Sequence, residues 1–193
     1  MHTPHATHAP LNDPSPTGGS APAPATAPAV SEQTCYDAGL LALRLVFGLS
    51  MAAHGAQKLL GWFGGNGLDA TAQFFTSVGY PAGRSMATVA GLTELLGGLG
   101  LAVGLLTPLA GAAVLGTMVN AVAVTHGHGY FAPEGVEYAV AQGAGAAALA
   151  LTGPGRWAAD RLLPGLRTHR LSHGVAAILL AAVTAAVVLL LRS

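Results

Sequence analysis

The residues best suited to chemistry in this sequence lie inside its apolar segments. His54, Gln57 and Lys58 all fall within the segment 39–60, and His54 and Lys58 share one helical face because they are four residues apart. Glu94 lies in the middle of a second apolar segment. An imidazole and a carboxylate can exchange protons or bind the polar head of a ligand. We therefore hypothesise that Glu94 and His54 form a proton-handling or head-group-binding pair.

Two further apolar segments carry polar residues at a comparable depth. Asn120 lies in one, while Gln142 lies in the other, which begins with Glu137. At ~1.5 Å per helical residue, these polar groups lie roughly 9–13 Å below one face of the membrane. They form a candidate intramembrane site, or else simple hydrogen bonds between helices, worth about 0.6 kcal/mol per pair. Arg44 lies nearer the opposite face, where we expect it to extend to the interface.

The composition requires a membrane environment. Of the 193 residues, 52% are hydrophobic and only 8% are charged, whereas soluble domains carry roughly 25% charged residues. So few polar side chains cannot cover the surface of a soluble fold of this length. The zero net charge also argues against a nucleic-acid binder. We conclude that this is an integral membrane protein in contact with the lipid bilayer.

Five apolar segments approach the ~20 residues with which a helix crosses a ~30 Å hydrocarbon core. They lack the two-residue alternation of a transmembrane strand, and helices satisfy their own backbone hydrogen bonds in lipid. The predicted fold is an all-α membrane bundle with a four-helix core and one extra C-terminal transmembrane helix. Gly100 and Gly104 form a GxxxG step that predicts close packing. The predicted spans are 39–60, 85–106, 108–126, 136–153 and 173–191.

The remaining residues form a tail and a linker. Residues 1–34 hold seven of the twelve prolines and predict a disordered Pro/Ala/His-rich tail. Residues 35–165 contain the four-helix domain, and residues 166–193 contain a basic linker and the fifth span. By the positive-inside rule, the arginines between the fourth and fifth spans place that linker in the cytoplasm. Counting spans backwards then predicts a cytoplasmic N-terminus.

Cysteine and histidine usage gives little sign of metal or disulfide chemistry. The single cysteine, Cys35, excludes an intramolecular disulfide and a cysteine-ligated cluster. His126 and His128 lie two residues apart without an assigned third ligand, which is more typical of a hydrated turn than of a metal site. We therefore predict no metal site.

Several motifs resemble those of the DoxX family of small integral membrane proteins. Leu43–Gly48 (LRLVFG) and His54–Gly65 (HGAQKLLGWFGG) resemble the signature of the family's first helix. Ala90–Gly98 (AGLTELLGG) and Gly129–Pro133 (GYFAP) follow in the family's order and spacing. The resemblance covers residues 39–163.

The resemblance implies a bacterial cytoplasmic-membrane protein with a four-helix core. Relatives include the membrane subunit of a thiosulfate:quinone oxidoreductase and a member of a membrane oxidoreductase complex. By resemblance, five residues occupy the family's recurrent polar positions, while the tail and the fifth apolar segment depart from the family pattern. These residues are Arg44, His54, Lys58, Glu94 and Glu137.

Three functions fit these features. The first is a redox-associated subunit that holds a quinone head group among His54, Glu94, Asn120 and Gln142, with electrons supplied by a soluble or membrane-bound sulfur or thiol oxidoreductase partner. The second is a non-catalytic scaffold for a complex, whose polar residues fix the helix register. The third is a small proton-coupled carrier, with Glu94 titrating and a homo-oligomer as its working form. Bound quinone would favour the redox-associated subunit. Co-purification of a soluble enzyme without ligand would favour the scaffold, and Glu94-dependent proton flux would favour the carrier.

Overall fold

The computed structural model describes residues 2, 31–131, 133, 135–165 and 168–192. Over these residues the chain folds into six α-helices linked by short turns, and the described residues contain no strand. The predicted disordered tail lies outside the described residues except for His2 and the start of the first helix. The helices are α1 (Glu32–Leu60), α2 (Gly67–Ser77), α3 (Gly83–Val103), α4 (Thr107–Thr125), α5 (Glu137–Thr152) and α6 (Leu171–Leu190).

The predicted all-α membrane bundle is confirmed. Each of the five predicted spans coincides with one helix, and α1, α3, α4 and α6 are long and apolar enough to cross a membrane. The fourth predicted span, 136–153, corresponds to the 16-residue helix α5. A helix of this length rises about 24 Å, so α5 is shorter than the ~30 Å hydrocarbon core.

The helices alternate in direction, which gives the bundle two distinct ends. We call the end at which α1, α4 and α6 begin the base, and the opposite end the top. The helix α2 lies at the top, where Arg84 at the start of α3 forms an ion pair with Asp69 of α2. At the end of α6, Arg192 donates from Nε to the carbonyl oxygen of Val78 at 2.6 Å. The end of α6 and the end of α2 therefore meet at the top.

Glycines allow α1 and α3 to pack with their backbones in contact. A Cβ atom at Gly48 would lie 2.6 Å from both Ala102 N and Gly98 O, so only glycine fits this position. The predicted close packing at Gly100 and Gly104 is present, because a Cβ at Gly100 would lie 3.0 Å from Ala110 Cβ of α4 and one at Gly104 would lie 2.6 Å from Ala158 Cβ. The two glycines do not share one helix, since α3 ends at Val103 and Gly104 adopts a left-handed conformation with φ 70°. Gly104 therefore both ends α3 and leaves room for the Arg44 side chain of α1.

The last helix completes a second group with α4 and α5. Ala177 and Ala181 of α6 are buried against Ala112 of α4. Outside these contacts, the helices present aliphatic side chains to their surroundings, as helices do towards lipid. Exposed examples on α1, α3 and α6 are Val46, Leu49, Val89, Leu96, Leu99, Val183 and Val187.

Candidate functional site

A cavity of about 520 Å³ lies in the top half of the bundle, and all six helices contribute to its lining. Its volume falls within the range of about 300–1,000 Å³ that is typical of small-molecule sites. Aliphatic and aromatic side chains form most of the wall, and a small set of polar groups interrupts them. These polar groups belong to His54, Lys58, Tyr80, Thr93, Glu94, Thr117, Asn120, Thr125, Tyr138 and Thr184.

The strongest electrostatic contact in this cavity joins α1 to α3. Lys58 Nζ donates to Glu94 Oε2 at 2.5 Å, and Glu94 is only 2% exposed, whereas Lys58 retains 29%. The sequence-based hypothesis paired Glu94 with His54; both residues line the cavity, but the ion-pair partner of Glu94 is Lys58. The longer side chain of Lys58 starts one helical turn closer to the top, and its terminal ammonium group meets the carboxylate. Within reach of a ligand, this pair offers both an anionic and a cationic group.

His54 contacts α5 instead. Its ring stacks on Tyr138 with a centroid separation of 4.6 Å and an interplanar angle of 21°, and its Nδ1 atom lies 3.1 Å from the Tyr138 hydroxyl. The same Nδ1 atom lies 3.0 Å from the carbonyl oxygen of Ser50. Gln142 donates from Nε2 to the Tyr138 hydroxyl at 3.0 Å. These contacts hold the imidazole in one orientation on the cavity wall.

A second polar contact in the wall involves α4 and the turn after α2. The Tyr80 hydroxyl donates to Asn120 Oδ1 at 3.1 Å, and Asn120 Nδ2 donates to the carbonyl oxygen of Gly116 at 3.0 Å. Burial raises the pKa of Tyr80 above its ordinary value, so its hydroxyl keeps its proton over the physiological range. The Tyr80 ring also packs against Phe75 of α2, with centroids 5.2 Å apart.

The structure divides the predicted site residues into four groups. Four of them, His54, Lys58, Glu94 and Asn120, line the cavity together. Gln142 lies behind the wall, where Nε2 also lies 3.3 Å from the carbonyl oxygen of Phe47 and 3.8 Å from Met51 Sδ. Glu137 is half-buried in the first turn of α5 and does not line the cavity.

Arg44 belongs to a separate cluster at the base. Its side chain is 2% exposed, so the expectation that it extends to the interface was wrong. The guanidinium donates to the carbonyl oxygens of Pro154 at 2.5 Å, Trp157 at 2.8 Å and Ala102 at 3.5 Å. The chain that follows α5 folds back over the base, and its carbonyl groups bind the guanidinium before it reaches the interface.

Two aspartates hold the same returning segment. Asp160 is 2% exposed and accepts from the backbone N–H groups of Leu106 at 2.6 Å and Thr107 at 3.0 Å, so it caps the N-terminus of α4. Asp37 of α1 accepts from Arg156 Nε at 2.5 Å and from its backbone N–H at 2.8 Å. Charged side chains that bind backbone groups and each other therefore join the segment after α5 to the base of the bundle.

Sequence reasoning missed Tyr80 and Tyr138 as part of the site. Tyrosines near the ends of membrane spans are typical of the aromatic belt at the membrane surface, so their positions alone do not indicate a site. The spacing Tyr138–Gln142 places both residues on one helical face, and that signal could have linked Tyr138 to the site.

Histidines and acids do not gather into a metal-binding group within the described residues. His126 and His128 are exposed in a short 3₁₀ turn after α4. Glu134, an acidic residue near them in sequence, lies outside the described residues.

The fold and its cavity define a multi-pass helical membrane protein. Residues 39–127 match the model of the DoxX family, which confirms over these residues the resemblance found in the motifs. The matched region contains His54, Lys58, Glu94 and Asn120, whereas Tyr138 and α6 follow it.

A curated relative supports the same assignment. The chain is 33% identical over 87 residues to the Bacillus subtilis (strain 168) protein named "Putative oxidoreductase CatD". The alignment covers 45% of this chain and 59% of the relative, so it spans less than two-thirds of the relative's length. No solved structure matches this chain.

Proposed function

We propose that this chain is a redox-associated, DoxX-type subunit of the bacterial cytoplasmic membrane that binds a quinone head group in its cavity. The observation that carries the proposal is the Lys58–Glu94 ion pair in the wall of a largely apolar cavity of about 520 Å³. A charged pair at membrane depth is costly and is more economically replaced by neutral residues where it only joins helices.

The chemistry of a quinone suits the lining. Its two carbonyl oxygens accept hydrogen bonds, and Lys58, Tyr138 and Asn120 carry N–H or O–H groups at the cavity. Reduction to the quinol consumes two electrons and two protons. Oxidation of two thiols to one disulfide releases two electrons and two protons, so the overall reaction balances. Cys35 is the single cysteine of this chain, so a sulfur or thiol oxidoreductase partner supplies the thiols.

The role of Glu94 in this scheme follows from its position. Its carboxylate holds the Lys58 ammonium at the cavity wall. In the proposal, the ammonium uses one of its remaining N–H groups to donate a hydrogen bond to a quinone oxygen. The same proposal includes a cytoplasmic N-terminus. The positive-inside rule puts the arginines after α5 in the cytoplasm, and counting the spans back from there puts the N-terminus on the same side. The name of the Bacillus relative is consistent with an oxidoreductase role.

Quinone content tests the proposal directly. The protein is purified in mild detergent and extracted, and the isoprenoid quinone per chain is quantified for wild type, Glu94→Ala and Glu32→Gln. Glu32 is an exposed acid in the first turn of α1, remote from the cavity lining. We expect near-stoichiometric quinone in wild type and Glu32→Gln, and only traces in Glu94→Ala. Trace quinone in all three proteins, or equal amounts in all three, would overturn the proposal.

A proton-coupled carrier is the second candidate. It is favoured by the asymmetry of the bundle, because the cavity occupies the top half while charged residues tie the base together. Proton flux in vesicles that depends on Glu94, together with absence of bound quinone, would favour the carrier. A soluble enzyme that co-purifies with a ligand-free protein would favour the scaffold.

A further inference from the structure

We infer that the cavity opens sideways into the bilayer, through a slot between α3 and α6, and that this slot holds the isoprenoid tail of the bound quinone. The inference rests on the proposed function and adds to it the route of access and the residues that govern it. We call this opening the α3–α6 slot and define it by Val89 of α3 and Thr184 and Val188 of α6, which line the cavity.

Helix packing leaves the slot open. Both α3 and α6 pack extensively against α4, yet they make almost no contact with each other. Their separation uncovers a strip of α4 whose residues form the back of the cavity. This strip consists of Ala113, Gly116, Thr117, Asn120 and Ala121.

The exposure of the slot residues shows that the cavity reaches the molecular surface here. Val89 lines the cavity and is also 60% exposed, and Thr184 is exposed as well. Phe74 of α2 and Tyr138 of α5 also line the cavity and are exposed, but between α3 and α6 residues of both flanking helices combine these two properties. Elsewhere on the outer surfaces of these two helices, the exposed side chains are aliphatic, for example Leu96 on α3 and Val183 and Val187 on α6. The slot therefore faces lipid and not water.

The top of the bundle covers the cavity on the side towards water. Phe74 and Phe75 of α2 line the cavity from above. The Arg84–Asp69 ion pair holds α2 to α3, and the hydrogen bond from Arg192 to the Val78 carbonyl joins the end of α6 to the end of α2. A ligand thus reaches Lys58 and Glu94 most directly from the side, which requires a molecule that dissolves in the bilayer.

Tryptophan substitutions in the slot provide the first test. Val89→Trp is compared with Leu96→Trp, because Leu96 lies two turns along α3, is 62% exposed and does not line the cavity. Val188→Trp is compared with Val187→Trp, its exposed neighbour outside the lining. Binding is measured for a quinone with a long isoprenoid tail and for a tail-free benzoquinone.

We expect both slot variants to slow association of the long-tailed quinone by about tenfold or more, while the tail-free quinone still binds and both controls behave as wild type. Unchanged association of the long-tailed quinone would overturn the slot and leave the proposed function intact. Failure of wild type to bind either quinone would instead overturn the proposed function.

A measurement that needs no ligand tests the lateral slot even if the wild-type protein binds neither quinone. In a Cys35→Ser background, a fluorophore is attached to Thr117→Cys at the back of the slot, and quenching is measured with brominated acyl chains and with aqueous iodide. Leu96→Cys serves as the lipid-facing reference and Ala177→Cys, which is 4% exposed, as the buried one. We expect brominated lipid to quench the label at position 117 and iodide to leave it unquenched. Quenching by iodide alone, or by neither reagent, would overturn the lateral opening.

Discussion

Buried charges occur at two levels of this bundle, and the two levels use them differently. At the base, the Arg44 guanidinium donates to three backbone carbonyl groups, and Asp160 accepts from two backbone N–H groups. In the top half, Lys58 and Glu94 bond to each other beside an open cavity. Burial of a charge therefore does not identify a ligand site. The identity of its partners and the presence of empty volume beside it do.

The largest effect is expected for Arg44→Met at the base. The substitution leaves the carbonyl groups of Ala102, Pro154 and Trp157 without their donor, which should lower the free energy of unfolding by about 3–5 kcal/mol. The melting temperature in detergent, followed by size-exclusion chromatography after heating, should fall on the order of 10 °C. Arg161→Met is the control, because Arg161 is exposed, and its effect should stay within about 0.5 kcal/mol. Equal melting temperatures for the two variants would contradict the structural role of Arg44.

A smaller effect is expected for Asp160→Ala. Loss of the cap on Leu106 N and Thr107 N at the start of α4 should cost about 2 kcal/mol. Asp160→Asn retains one acceptor oxygen and should lose less. The melting temperatures should therefore follow the order wild type, Asn variant, Ala variant. Any other order would mean that the cap contributes little to the base.

The Lys58→Met/Glu94→Gln double substitution should separate ligand binding from stability. Because both charges disappear together, no charge is left buried without its partner, and the free energy of unfolding should change by about 1 kcal/mol or less. Bound quinone should nevertheless fall to trace amounts. A loss of stability as large as that of Arg44→Met would mean that the Lys58–Glu94 pair mainly stabilises the fold, as the charged residues at the base do.

Of the variants that affect the cavity, Tyr138→Phe should have the smallest effect on ligand binding. The ring can still stack on His54, whereas the hydroxyl contacts with His54, Ser50 and Gln142 are lost, which should cost about 1 kcal/mol. If the hydroxyl also donates to the ligand, quinone affinity should fall about fivefold. Tyr130→Phe, at an exposed tyrosine remote from the cavity lining, serves as the control. Identical quinone affinities for Tyr138→Phe and Tyr130→Phe would show that the Tyr138 hydroxyl does not bind the ligand.

Much of the fold was predictable because hydropathy and span length dominate in a membrane. The five apolar segments follow from these two properties. The candidate site was predictable only in part. Depth along the helix axis indicated that His54, Glu94 and Asn120 lie at one level, and they line one cavity.

The rotation of each helix and the path of the loops were not predictable from the same patterns. Glu94 contacts Lys58 and not His54 because of how α1 faces α3, which depends on the glycines that let their backbones touch. Arg44 is enclosed because the segment after α5 returns to the base. The sequence of that segment has no periodicity from which this path could be predicted. Long-range contacts of this kind depend on tertiary packing and not on local sequence.

The contribution of α6 to the cavity wall has a consequence for the order of assembly. Ribosomes synthesise the chain from its N-terminus, so the Lys58–Glu94 pair, the α4 strip and Tyr138 all precede α6. The cavity thus gains its final wall only when the last described helix enters the bilayer. In the proposed function, the complete ligand site therefore forms only after α6 has inserted.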